Sequence, residues 1–247
     1  MPLLYVDMLG MKARYHRGGT RAAQSGYRLL AELVQQGLEA LPDGHAVRGG
    51  VQSDAVCLQF ASAVDAVVVG RKLFADTFRR SNRSNLLWVR GVIVDEGDPD
   101  SPIETMRKLQ ESTPEVFVRE FAPPLVRAIH AEQSGFHGQR LLIESKLASR
   151  EKVDQALRQE IGNGHLSPTH RLRYSKYPPP TGRYRDVLWP VPEDLKDWPS
   201  LCRRMLDRLR WASDGGDLAF LHASATHLLF EEVSSILHSL TKPGEPG

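Results

Sequence analysis

Residues 3–10 have the sequence LLYVDMLG, an apolar run that is interrupted by one acid and ends at a glycine. A run of this length, closed by a turn residue, predicts a buried β-strand rather than a helix. Asp7 lies inside that strand, and burying a carboxylate is costly unless it is paired or holds a cation. The stretch therefore predicts a sheet protein with a candidate functional acid in its first strand.

Extended and helical patterns alternate along the rest of the chain. They predict helices over 21–41, 62–80, 149–160 and 198–240, and strands over 46–52, 55–60, 86–94 and 140–143. Pro123-Pro124 begins a further predicted helix, because proline is tolerated in a first helical turn. The segment 162–186 is predicted as a loop that leads into a short ordered piece around Tyr184–Trp189. This order indicates an α/β sandwich whose sheet contains antiparallel strands.

The composition indicates a soluble globular protein, with 41% hydrophobic and 25% charged residues among 247. The net charge of +2 gives no support for a nucleic-acid partner. No apolar run approaches the roughly 20 residues that span a bilayer, which predicts no membrane partner. Two cysteines, Cys57 and Cys202, are too few for a disulfide framework. Together with the absence of a secretory leader pattern, they predict a cytoplasmic location.

A second acid, Asp54, follows Ser53 at the predicted junction of two strands. Two carboxylates on adjacent strands suit a hard divalent ion, since Mg²⁺ takes oxygen ligands and bridges substrate phosphates. Gly10 stands at a predicted strand-to-helix turn, where free backbone N–H groups suit phosphate oxygens. An acid at a strand end more often only accepts hydrogen bonds, and the residues by themselves leave both interpretations open.

Five short motifs occur in order between residues 3 and 145. They are YVDMLGM at 5–11, SDAV at 53–56, VRGVI at 89–93, APPLVRAIHAE at 122–132 and GQRLLI at 138–143. Together they resemble the class III nucleotide cyclases, and in particular the Pycsar pyrimidine cyclases of bacterial antiphage defence. A weaker similarity, TGRYRDVL at 181–188, extends it to about residue 190.

The resemblance implies a cyclase domain over 1–148, a palm-like α/β sandwich with a mixed, largely antiparallel sheet. A C-terminal loop and helical region over 149–247 would be appended to it. The implied activity is that of a lyase that converts a nucleoside triphosphate, UTP first, into the 3′,5′-cyclic monophosphate and pyrophosphate. Cyclic UMP would serve as an antiphage second messenger. A purine substrate stays open, as does a degenerate cyclase fold kept as a nucleotide-binding or dimerisation module.

The resemblance also implies roles for individual residues. Asp7 and Asp54 would hold two divalent ions, Mn²⁺ or Mg²⁺, with help from the Met8 carbonyl. The backbone around Gly10 and Met11 would hold the β- and γ-phosphates. These five positions form the implied metal and phosphate site.

Other implied roles concern the partner subunit and the base. Arg127 matches an arginine that enters the partner's site in similar enzymes, which implies a homodimer with composite sites, although Pro123 replaces the family's asparagine. Arg90 would reach a phosphate or an interface, or else cap the sheet edge. Gly50 stands near the place of a base-selecting lysine, on the same strand face as Arg48. Glycine there favours a pyrimidine that is contacted partly by the main chain.

Overall fold

The structure is a computed structural model that describes residues 1–52, 54–81, 87–95, 128, 137–161, 164–166, 169–170, 183–213 and 216–241. Within these residues the strands are β1 (Leu3–Leu9), β2 (Val47–Gln52), β3 (Ala55–Phe60), β4 (Trp88–Val94), β5 (Leu141–Glu144), β6 (Gln159–Ile161), β7 (Gly164–Leu166), β8 (Thr169–His170) and β9 (Tyr184–Val187). The helices are α1 (Met11–Leu38), α2 (Ala63–Arg80), α3 (Ser145–Ala148), α4 (Glu151–Leu157), α5 (Pro192–Lys196), α6 (Trp198–Ser213) and α7 (Asp217–Thr241). None of these helices is both long and apolar enough to cross a membrane.

One mixed sheet organises the described residues, with its strands in the order β2-β3-β1-β4-β5-β9-β8. Strands β4 and β5 run parallel, while the other neighbouring pairs of this sheet are antiparallel. Strands β6 and β7 form a separate antiparallel pair. The predicted α/β class with a mixed, largely antiparallel sheet is therefore confirmed.

The elements from β1 to β4 form a βαββαβ unit. Its strand order, β4-β1-β3-β2, is that of the ferredoxin-like split βαβ motif. Strand β1 is bonded on one side to β3 and on the other to β4, so it lies in the interior of the unit. The acid of β1 is consequently surrounded by neighbouring strands, and the β2–β3 hairpin turn lies beside the end of β1.

The two faces of the sheet carry different side chains. Leu4, Val6 and Met8 of β1 belong to the large core that is formed with α1 and α2. Since successive strand residues point to opposite faces, the intervening residues lie on the other side of the sheet. We call this side the site face; in strand register it is defined by Tyr5, Asp7, Cys57, Arg90 and Val92.

Helix α2 begins and ends where its own sequence indicates. Ser62 is the N-cap, and its hydroxyl accepts a hydrogen bond from the Val64 N–H at 3.1 Å. Asp65 lies in the first turn, and Arg79 and Arg80 lie in the last turn, which suits the helix dipole at both ends. The helix predicted over 62–80 is thus confirmed to within one residue.

The C-terminal elements complete the same core. Strand β9 pairs with β5, and the Phe230 ring of α7 lies 5.1 Å from Phe78 of α2 and 5.7 Å from Trp189. Arg208 of α6 is buried and donates to the Phe78 carbonyl. Residues on both sides of the predicted boundary at 148 share this core, and the boundary itself stays a prediction.

Two element predictions are wrong. Helix α1 starts at Met11 rather than at residue 21, because its first two turns lack the leucine and valine periodicity of its later part. Gly19, with φ 63° and ψ −161°, interrupts the helical backbone between these parts. The second wrong prediction is the loop over 162–186, where the described residues include β7 and β8; β9 agrees with the short piece predicted around Tyr184–Trp189. Strands this short are set by their partners rather than by their own sequence.

Candidate active site

Asp7 lies on the site face near the end of β1. It is opposite Ala55 of β3 and opposite Arg90 of β4 in the strand register. Cross-strand neighbours in antiparallel pairs are about 4.5–5.5 Å apart, so side chains at these positions interact directly. The predicted strand therefore places its acid between a hairpin and a cationic side chain.

Asp54 lies at the hairpin turn between β2 and β3, as the sequence predicted. Its carbonyl oxygen accepts a hydrogen bond from the Met8 N–H at 2.8 Å, which ties the turn to β1 at the residue after Asp7. Because Ala55 pairs with Asp7, the two acids come from directly adjacent backbone positions. The structure thus brings Asp7 and Asp54 to the same end of the sheet.

The electrostatic environment of these acids is unfavourable for isolated carboxylates. Burial raises the pKa of Asp7; the Arg90 charge opposes this effect, and the Asp54 charge adds to it. The pKa of Tyr5, two residues earlier on the same face, is raised to about 12, first by burial and then by the charges of Asp7 and Asp54. Negative potential accumulates at this point of the sheet, and a bound cation would relieve it.

Arg90 faces Asp7 across β1 and β4. An Nη2 of its guanidinium lies 3.5 Å from Asp7 Oδ2, at the outer limit of a hydrogen bond. The two side chains are 17% and 18% exposed, so a ligand approaching the site face can reach both of them. Burial lowers the pKa of Arg90, while the Asp7 charge raises it. The sequence left three roles open for Arg90: contact with a phosphate, contact at an interface, or a cap on the sheet edge. In the structure its side chain lies beside Asp7.

The turn after β1 leads directly into α1. Gly10 is the N-cap of that helix and has φ 76°, a left-handed conformation that favours glycine. Among the described residues no side chain caps this helix end, and its first turn, which begins at Met11, contains no acidic residue. Within this part of the chain, the backbone N–H groups of the first helical turn have no side-chain cap, and they begin four residues after Asp7. This is the arrangement that binds phosphate oxygens at helix N-termini.

The donors near Asp7 fit a hard divalent ion. Two carboxylates from adjacent strands and the main chain at Met8 supply oxygen ligands only, which is the chemistry that Mg²⁺ and Mn²⁺ prefer. Among the described residues no group of three or more His, Cys, Asp or Glu side chains converges. An ion here would accordingly depend on Asp7, Asp54, backbone oxygen and ligand or water oxygens, as is usual for Mg²⁺.

Two residues of the predicted partner contact, Arg127 and Pro123, lie outside the described residues. Ala128, the residue after Arg127, is described: it is helical and fully buried. It packs in a small cluster on the site face together with Leu3, Cys57, Val92, Val94 and Leu142. Ala128 therefore contacts the face that carries Asp7, and the role of Arg127 stays a prediction.

The candidate base-selecting positions lie on β2. In register, Gly50 is opposite Cys57 and Arg48 is opposite Gln59, so both lie on the site face, as the alternation predicted. Among the described residues, no atom lies within 4 Å of a Cβ built at Gly50, and Arg48 is exposed. In this part of the structure, the space beside Gly50 has room for a ligand or another chain.

Sequence patterns did not indicate several groups that surround the site. Arg140, directly before β5, and Asp186 of β9 form a buried ion pair with distances of 2.6 and 2.8 Å. His137 and His222 lie with ring centroids 5.4 Å apart, and both feel the charge of Arg90. Their positions depend on the packing of α7 against the turn before β5, for which no local sequence signal exists.

No protein-family model matches the chain, and no curated protein matches it either.

Proposed function

We propose that the protein is a nucleotide cyclase that converts UTP into 3′,5′-cyclic UMP and pyrophosphate. Cyclic UMP would be the second messenger. The observation that carries this proposal is the meeting of Asp7 and Asp54 beside the uncapped N-terminus of α1. Two acids and a phosphate-binding helix end are the parts that divalent-ion phosphoryl transfer needs. The resemblance to class III cyclases, motif by motif, supplies the reaction class.

In the proposed reaction the ribose 3′-oxygen attacks the α-phosphorus of the same nucleotide. A phosphorus–oxygen bond forms to the 3′-oxygen, the bond from the α-phosphorus to the bridging β-oxygen breaks, and pyrophosphate leaves with the bonding electrons. The hydroxyl proton passes to solvent or to a phosphate oxygen. Two ions held by Asp7, Asp54 and the Met8 carbonyl would promote ionisation of the 3′-hydroxyl and neutralise the pyrophosphate charge.

The remaining groups act by position and charge. The N–H groups after Gly10 would bind the β- and γ-phosphates, where the positive end of the helix dipole favours anions. Arg90 lies close enough to Asp7 to orient that carboxylate and to contact a phosphate on the site face. Arg127 of a second copy would stabilise charge on the α-phosphate, which makes the proposed enzyme a homodimer.

The preference for UTP rests on β2. A purine-selecting site rejects other bases by leaving buried polar groups unpaired, which requires donor or acceptor side chains at the base edge. Gly50 has no side chain and has open space above it. Main-chain groups near Gly50 could therefore pair with a small pyrimidine ring, and a purine nucleotide is the alternative substrate.

One residue favours a different function. Pro123 stands where similar enzymes have an asparagine that assists the transition state, so nucleotide could bind at Asp7 and Asp54 without being turned over. The protein would then be a cyclase-fold module that binds nucleotide or dimerises without turnover. The two functions differ in one measurable property: only the enzyme has Mn²⁺-dependent product formation that requires both aspartates.

The test compares the same substitution at three aspartates. Asp7→Asn and Asp54→Asn should each abolish product formation from UTP and Mn²⁺ while the protein stays folded. Asp43→Asn, at an exposed position just before β2, is the matched control and should behave as the wild type. If Asp54→Asn retains wild-type turnover, the proposed mechanism is wrong. If no variant and no wild-type sample turns over any nucleotide although nucleotide binds, the module is the better account.

A further inference from the structure

Helix α7 is far from β1 in the sequence, yet its first half lies at the site end of the sheet. Strands β4 and β5 run parallel, and β1 runs opposite to both. The C-terminal end of β1 and the N-terminal ends of β4 and β5 therefore lie at the same end of the sheet. The turn that precedes β5, at residues 137–140, is in contact with α7. The C-terminal region thus reaches the end of the sheet at which Asp7 and Arg90 lie.

Two side chains of α7 bind this turn. His222 Nδ1 accepts a hydrogen bond from the Gly138 N–H at 3.1 Å. The Thr226 hydroxyl accepts one from the Gln139 N–H at 2.8 Å and donates to the His222 carbonyl at 2.8 Å. Both side chains are buried, and a Cβ at Gly138 would lie 2.9 Å from Ala225 Cβ. The turn therefore has little freedom to move relative to α7.

The turn is connected to Arg90 by backbone hydrogen bonds. The Gly138 carbonyl accepts from the Arg140 N–H at 3.0 Å, and the Arg140 carbonyl accepts from the Gly91 N–H at 2.9 Å. Gly91 directly follows Arg90, so these bonds fix the backbone from which the guanidinium extends toward Asp7. A change in the His222 contact would therefore reach the backbone at Arg90 through two backbone hydrogen bonds.

We propose that His222 is a positioning residue of the candidate site: by accepting the Gly138 amide proton, it fixes the turn before β5 and so holds Arg90 in front of Asp7. The expected effect of His222 on metal affinity at Asp7 rests on the proposed function, whereas its effect on the position of Arg90 does not. The imidazole is uncharged at neutral pH, because burial, followed by the charges of His137 and Arg90, lowers the pKa of His222 to about 4. The hydrogen bond from the Gly138 N–H then requires the tautomer whose proton is on Nε2.

The test uses two substitutions of similar size, one with a hydrogen-bond acceptor and one without. In His222→Asn the side-chain oxygen can take the place of Nδ1 as acceptor, whereas His222→Leu removes the acceptor and keeps an apolar side chain. His227→Leu is the matched control on the same helix, since His227 is partly exposed and its Nδ1 lies 3.7 Å from Glu231 Oε1 of its own helix. Thr226→Val removes the neighbouring acceptor and tests the same turn if His222→Leu does not fold.

The first measurement is the NMR resonance of the Arg90 Nε–Hε group, assigned by its loss in Arg90→Lys. His222→Leu and Thr226→Val should shift it, and His222→Asn and His227→Leu should leave it in place. The second is Mn²⁺ affinity by calorimetry, where His222→Leu should cost roughly tenfold, as changes of a ligand's supporting partners do. In an Arg90→Lys background, His222→Leu should have little further effect on that affinity.

Two results would overturn the inference. One is an Arg90 resonance that stays at its wild-type position in both His222→Leu and Thr226→Val. The other is a double variant, His222→Leu with Arg90→Lys, whose loss of Mn²⁺ affinity equals the product of the two single losses, because independent effects multiply. A wild type that binds no Mn²⁺ would contradict the proposed function, and the Arg90 resonance would still decide the role of His222.

Discussion

Gly91 of β4 is the position at which a single methyl group should perturb both the sheet and the site. A Cβ at Gly91 would lie 2.8 Å from the Tyr5 carbonyl oxygen, 3.0 Å from Val6 Cγ2 and 3.3 Å from Phe74 Cζ. The nearest of these atoms belongs to the backbone of β1, which cannot rotate away as a side chain would. Gly91→Ala must therefore push β1 and β4 apart at the pair beside Asp7.

The expected magnitude follows from the cost of overpacking. Extra methyl groups in well-packed cores cost about 1–3 kcal/mol, and a backbone clash in an interior strand places Gly91→Ala at the upper end, about 2–3 kcal/mol. For a chain of this size each kcal/mol lowers Tm by about 2–4 °C, which gives a fall of about 4–12 °C.

The assay is urea and thermal unfolding of Gly91→Ala and of its matched control, Gly50→Ala. Gly50 is also a strand glycine of this sheet, but a Cβ there has no atom within 4 Å. Its substitution should change the free energy of unfolding by no more than about 0.5 kcal/mol. If the two variants unfold at the same urea concentration, or Gly91→Ala matches the wild type, the close approach of β4 to Tyr5 is not as described.

Three further predictions concern charge. Asp186→Ala should lower the free energy of unfolding by about 3–5 kcal/mol, because it leaves the fully buried Arg140 guanidinium without its counter-ion; a loss below 1 kcal/mol would contradict this. The pKa of His222 is lowered from its ordinary 6.5 to about 4. Between these values His222 binds a proton in the unfolded chain but stays uncharged in the folded chain. Stability should therefore decrease as the pH falls from 6.5 toward 4, and the decrease should be smaller in His222→Asn; equal pH profiles of unfolding would count against it. Mixing inactive Asp7→Asn with inactive Arg127→Ala should restore part of the turnover, and no recovery after confirmed subunit exchange would exclude composite sites.

Much of the fold could be predicted because its signals are local. The apolar run around Asp7, the hairpin at Asp54 and the amphipathic pattern of α2 each indicate an element by the spacing of a few residues. The register that brings the acids together follows from the hairpin and the central position of β1. The apolar spacing predicts α1 only from residue 21, although Gly10 was a predicted strand-to-helix turn, since the first turns contain few apolar residues and are interrupted at Gly19.

The surroundings of the site could not be predicted, because they depend on contacts between distant parts of the chain. His222 contacts Gly138 across 84 positions, and Arg140 pairs with Asp186 across 46 positions. Neither contact leaves a periodic pattern in the sequence. The sequence therefore predicted the two acids at the centre of the candidate site, whereas their supporting contacts required the tertiary structure.

The most direct test of the proposed function is a product analysis with all four nucleoside triphosphates at equal concentration in the presence of Mn²⁺. Mass spectrometry identifies the cyclic monophosphates, with Asp54→Asn as the blank. We expect cyclic UMP as the main product of the wild type and none from Asp54→Asn. A cyclic purine nucleotide as the main product would contradict the proposed base preference. The absence of every cyclic product, or equal amounts from wild type and Asp54→Asn, would contradict the assignment as a cyclase.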